Sequence, residues 1–140
     1  MGANPKYIIN THCHFDSAFA SEEVREKTGA ELLMHEGESG WVESNPDRFL
    51  KEGDTVRIGS DVLKVVHTPG HTKGSVCLVG EGMMFTGDTF FKDGFGRTDL
   101  PGGDEDDLAQ SLHKVIGALE SDMKIYPGHG EDFELREMMS

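Results

Sequence analysis

The sequence predicts an α/β fold, organised as one domain over residues 1–140. Three observations point to it. Residues 7–10 (YIIN) and 30–35 (AELLMH) are apolar runs separated by a helix-compatible stretch, which is the order of a parallel crossover unit. Further on, two pairs of short apolar runs each flank a tight-turn sequence, as hairpins do. Late in the chain, Leu108, Leu112, Val115 and Leu119 recur at helical spacing.

Each element has a local cause. Between the first two runs, Ser21 can cap a helix, Glu22 and Glu23 suit its positive end, and Gly29 can stop it. Residues 37–53 contain Pro46 and many small polar residues and predict an irregular segment, with a short helix near 47–50. Residues 55–58 and 62–67 flank Gly59, Ser60 and Asp61, and residues 76–79 and 83–86 flank Gly80, Glu81 and Gly82. Glycine-rich residues 92–103 predict a long loop. The helix over 104–121 opens on four acidic residues, Asp104 to Asp107. A last short strand, 124–126, ends at Pro127.

Composition removes several classes of function. Acidic residues outnumber basic ones 26 to 13, for a formal charge of −13. Nucleic acids and anionic membranes need a cationic face, so a small-molecule substrate is the expected partner. Cys13 and Cys77 are too few for a disulfide framework and read as reduced thiols. No apolar run approaches a membrane span, and the MGANPK start has no signal-peptide hydrophobic region. A cytoplasmic protein is the expectation.

The chemistry lies at the strand ends. His12, His14 and Asp16 follow the first strand; His71 follows another in HTPGHTKGS; Asp88 follows a third in MFTGDTFF; His129 follows a fourth in IYPGHG. In open α/β sheets, sites form where such loops converge. Imidazole and carboxylate together suit zinc, iron or manganese. Gly70, Gly87 and Gly128 each precede one of these residues and permit tight turns. His35, His67 and His113 read as structural or surface histidines. Arg97 and Asp99 fit three roles: positioning ligands, binding an anionic substrate, or forming an ion pair that stabilises their loop. A metal-bound imidazole needs a partner on its other nitrogen, and Asp99 is a candidate for it.

This ordered set resembles the metallo-β-lactamase-fold hydrolase superfamily. The family's first motif, His-x-His-x-Asp-His, is HCHFDS at 12–17 here; PGHTKGS, TGD and PGHG match the later motifs; GFGRTDLPGGD (94–104) resembles the glyoxalase II-like branch. The resemblance implies an αββα sandwich. It implies that His12, His14 and His71 hold a first metal, that Asp88 bridges to a second, and that Asp16 and His129 belong to the second. Zinc is the first expectation, with iron or manganese as alternatives. Catalysis would fall to Asp16 and Asp88 with a metal-bound hydroxide attacking a thioester, lactone or related ester.

Two departures matter. Ser17 stands where the family usually has a histidine, and a neutral hydroxyl is a poorer donor than imidazole, so a weak or empty second metal position is expected. The first motif also begins at residue 12, where the family normally has a β-rich half before it. The chain would then be mainly the C-terminal half of the sandwich. Its open sheet would be covered by a homo-oligomer or a domain-swapped dimer, since bare apolar surface costs about 25 cal/mol per Å². The family offers a second chemistry, a mononuclear iron sulfur dioxygenase using His12, His71 and Asp88. A third reading is a degenerate, non-catalytic metal-binding oligomeric module. Replacing Ser17→His should raise metal stoichiometry per chain and ester hydrolysis together. Elemental analysis and turnover on the same preparations check this.

Overall fold

The computed structural model describes residues 7–10, 27, 29–37, 46–58, 61–99, 103–118, 122–128 and 131–138. Eleven strands and two helices are laid out along them. Strands β1 (Tyr7–Asn10), β2 (Glu31–His35) and β3 (Arg48–Leu50) form a three-stranded sheet in that order, parallel throughout. Strands β4 (Thr55–Ile58), β5 (Asp61–His67), β6 (Val76–Gly80), β7 (Met83–Gly87), β10 (Lys124–Pro127) and β11 (Phe133–Glu134) form a six-stranded sheet, ordered β11-β10-β7-β6-β5-β4. A small ribbon, β8 (Phe90–Phe91) with β9 (Gly94–Phe95), stands between β7 and helix α1 (Glu105–Ala118). A four-residue helix, α2 (Leu135–Met138), follows β11.

The parallel β1–β2 pair, both hairpins and the long helix are as expected. The segment after Pro46 is not: residues 48–50 are strand β3, not a short helix. The neighbouring strand decides it. The Asp47 N–H donates to the Leu32 carbonyl at 2.8 Å, and the Leu32 N–H donates to Asp47 Oδ2 at 2.7 Å. Those bonds dock the segment on β2, and Leu50 is then fully buried. Within 92–103, Gly94 and Phe95 turn back to pair with β8, so the long loop opens on a ribbon. The helix expected after Ser21 falls almost wholly outside the described residues.

The six-stranded sheet is covered on both faces. On one, Val56, Leu63, Val65, Val76 and Leu78 pack with Leu33 and Leu50 of the smaller sheet. On the other, Cys77, Met84, Ile125 and Phe133 pack with Val115 of α1 and with Phe90 and Leu135. Each fully buried Leu in these clusters contributes roughly 1.5–3 kcal/mol relative to exposure. The face expected to lie bare is therefore covered over β4 to β6 by the chain's own β2 and β3. Among the described residues, Phe85 and Tyr126 stay exposed on that face, stacked with ring centroids 5.4 Å apart.

Helix α1 is tied to the loop after β5. Asp104 caps it, its Oδ1 accepting from the Asp107 N–H at 3.0 Å. The Asp104 N–H donates to the Gly70 carbonyl at 2.8 Å, and Ser111 Oγ donates to the Pro69 carbonyl at 2.7 Å. Gly70 has φ +144, and a Cβ there would lie 2.3 Å from Leu108 Cα. Gly70→Ala should therefore destabilise the fold by on the order of 2–3 kcal/mol, read as a shift in the midpoint of urea denaturation.

Candidate metal centre

Two of the residues singled out from sequence meet at strand ends. His71 lies in the turn between β5 and β6, and Asp88 directly follows β7. Their side chains are almost fully buried, and His71 Nε2 lies 3.4 Å from Asp88 Oδ2. Positive φ at Gly87 (54) turns β7 sharply before Asp88, and the Thr89 N–H closes the turn on the Thr86 carbonyl at 2.9 Å.

The surrounding loops are knitted by hydroxyls. Thr68 Oγ1 and Thr89 Oγ1 are 3.0 Å apart, joining the loop of His71 to that of Asp88. Within the first loop, Thr72 and Ser75 hydroxyls are 2.6 Å apart, and the Thr68 N–H donates to the Ser75 carbonyl at 2.8 Å. All four residues are buried, so each bond replaces water that the site excludes.

His71 has a fixed tautomer. Its Nδ1–H donates to the Arg97 backbone carbonyl at 2.8 Å, which leaves Nε2 as the lone-pair nitrogen, turned toward Asp88. The partner of His71, a role for which the sequence makes Asp99 a candidate, is thus the main-chain oxygen of Arg97. Asp99 instead forms a two-pronged bridge with the Arg97 guanidinium, at 2.7 and 2.8 Å. That ion pair holds the Asp99 carboxyl well below its usual range, at about 2. The bridge is complete above the ordinary carboxylate range and is lost only as pH falls through about 2.

Backbone crowding sets the Arg97 carbonyl in place. A Cβ on Gly96 would fall 1.8 Å from the Asp88 carbonyl oxygen and 3.2 Å from His71 Cβ. On the other side, the Gly128 N–H donates to the Gly87 carbonyl at 2.7 Å, and a Cβ on Gly128 would sit 2.8 Å from Asp88 Oδ1. The chain immediately before His129 is thereby held against Asp88.

His12, His14, Asp16, Ser17 and His129 lie outside the described residues, as does Cys13. Among the described residues there is no group of three or more His, Cys, Asp or Glu side chains able to hold a metal. The pair that is described does fit one: a buried imidazole with its second nitrogen engaged, beside a buried carboxylate, suits a borderline divalent cation. His113 is exposed, while His35 and His67 stack on each other. Cys77 is buried, as expected of a reduced thiol, and burial pushes its pKa up to about 11.

Comparison with known proteins settles the lineage. The profile of the metallo-beta-lactamase superfamily matches residues 1–129. The chain belongs to that superfamily. It is 33% identical to the probable metallo-hydrolase YqgX of Bacillus subtilis (strain 168), over 96% of this chain and 72% of that protein. It is 38% identical to the hydroxyacylglutathione hydrolase of Anaeromyxobacter dehalogenans and 35% to human mitochondrial persulfide dioxygenase ETHE1. Those matches cover 91% and 92% of this chain but span only 49% and 50% of the relatives' lengths. Among solved structures, the BLEG-1 B3 metallo-beta-lactamase superposes with a TM-score of 0.89 at 31% identity, over 97% of this chain and 75% of that one. TTHA1623, solved in a di-iron-bound form, gives 0.84 at 29% identity, over 96% and 75%. The αββα family fold is thereby shown, and the family is metal-dependent. No helix among the described residues is long and apolar enough to cross a membrane.

Gly96→Ala should weaken zinc binding roughly 10–100-fold by displacing the carbonyl that orients His71. Gly94→Ala, where an added Cβ meets nothing within 4 Å, should leave it unchanged. Competition with a chromophoric chelator measures both.

Proposed function

We propose that the chain carries the site of a metal-dependent hydrolase that attacks a thioester, lactone or related ester. The observation carrying this reading is the buried His71–Asp88 pair, with His71 Nδ1 committed to the Arg97 carbonyl. His71 and Asp88 would hold the metal together with His12, His14, Asp16 and His129 of the matching motifs, and zinc is the first candidate. When bound, a divalent cation supplies a water acidic enough to ionise near neutral pH and polarises the carbonyl under attack.

The chain's own residues do the rest. With its Nδ1–H committed to the Arg97 carbonyl, the neutral imidazole of His71 can offer its lone pair only from Nε2, on the side of Asp88. Asp88 is largely buried and brings a negative charge into surroundings of lower dielectric, where its attraction for a cation exceeds that in bulk water. The missing side chain at Gly128 leaves room beside Asp88 Oδ1. The likeness to hydroxyacylglutathione hydrolase makes a thioester the first substrate class to try.

A second reading, a mononuclear iron persulfide dioxygenase, draws on the likeness to ETHE1. His71 and Asp88 are two members of a two-histidine, one-carboxylate set, which suits ferrous iron. Chelation should abolish thioester hydrolysis and zinc should restore it. Asp88→Asn should lower kcat/KM by at least about 100-fold. Oxygen consumption with glutathione persulfide after anaerobic iron loading, without thioester turnover under any metal, would decide for the dioxygenase.

A further inference from the structure

The two sheets meet ring on ring beside the site. His35 ends β2 and His67 ends β5. Their imidazoles stack with centroids 4.0 Å apart and planes 10° from parallel. His67 Nε2–H donates to the Lys73 carbonyl at 2.8 Å, and the Gly37 N–H donates to His35 Nδ1 at 3.0 Å. Behind the rings the backbones touch, since a Cβ on Gly37 would lie 2.9 Å from the Gly74 nitrogen. The stacked rings and the close backbone approach thus join turn 35–37 of the smaller sheet to loop 67–75 of the larger, while each hydrogen bond fixes its ring within its own segment. That loop carries His71.

We propose that the His35–His67 stack is a positioning device, holding the His71 loop against the smaller sheet and releasing it when both rings become charged. His35 Nδ1 accepts a hydrogen bond and so carries no proton in this arrangement. Protonating it removes that bond, and two imidazolium rings 4.0 Å apart repel. Among the described residues, several charged groups lie around the pair. Glu52 Oε1 accepts from the His67 N–H at 3.1 Å. Lys114 Nζ, reaching from α1, donates to Glu52 at 2.6 Å and to the His67 carbonyl at 2.9 Å. Glu36 follows His35, Lys64 lies on β5 near Glu52, and the Lys73 side chain is exposed. Burial raises the Glu52 pKa, but the bonds from Lys114 and the His67 amide outweigh it and leave it lowered. Glu52 therefore stays ionised where imidazoles titrate, and histidine protonation is the variable.

The test compares wild type, His35→Phe and His35→Ala by thermal unfolding of the metal-free chain at about pH 7.5 and about pH 5.5, above and below the usual imidazole range. At the higher pH the Ala variant should melt on the order of 2–4 °C below wild type, while Phe, which keeps an aromatic face, should match it. Acidification should cost wild type on the order of 2–4 °C more than the Phe variant, since titrations elsewhere are common to both. An equal pH response in the two proteins, or a Phe variant that melts with Ala at the higher pH, overturns the proposal. The comparison of wild type with Phe decides even if the Ala variant does not fold. A zinc titration at the higher pH extends the test and rests on the metal reading above. Ala should bind roughly tenfold more weakly and Phe should not. Zinc binding to none of the three would sink the metal reading while the melting pattern still upheld the stack.

Discussion

The bond from His71 Nδ1 to the Arg97 carbonyl is the constraint on which the rest of the site is arranged. An imidazole has two nitrogens, and neutral His can offer a lone pair from only one. Fixing the proton on Nδ1 dedicates Nε2 to whatever lies beside Asp88. For that bond to persist, Arg97 must stay where it is. The chain achieves this by close backbone packing at Gly96 and by an ion pair at the loop surface. The pair itself is exposed and adds little stability; its use is to restrict the loop that carries the oxygen.

The same loop system links the centre to the protein core. Gly70 lies against the first turn of α1, Ser111 and Asp104 bond back to the preceding loop, and Val115 one turn on is core. Rigid elements thus reach the ligand loop from the helix side, while the end of β2 meets it through the His35–His67 stack. A ligand set held on several strand ends gains precision only if those ends cannot move independently. The paired threonines Thr68 and Thr89 meet that need without introducing charge.

Much of this was legible in the sequence, and the failures have physical causes. Hairpins and the long helix announce themselves through turn residues and periodicity, which are local signals. The strand at 48–50 did not, because three residues after a proline carry too little pattern, and pairing with β2 supplied the ladder. Among the site residues, His71 and Asp88 stood out through their glycine-rich motifs and do meet in space. The carbonyl that orients His71 could not be singled out, because a backbone oxygen has no letter in the sequence; of the roles open to Asp99, the structure shows the ion pair with Arg97. The His35–His67 contact was invisible for a different reason: it joins residues brought together only by the packing of two sheets.

The crowding at Gly96 also divides the segment after Asp88 into two parts with different freedoms. Residues 88 and 96 are in backbone contact at the base, so the excursion between them returns to its starting point before the chain reaches Arg97. At its far end, Asp93 and Phe95 are exposed and Gly94 has open space around it. Variation in shape, bulk or charge can accumulate at this tip while the base stays unchanged. The fold thereby separates a tip that tolerates change from a base whose packing keeps the centre intact.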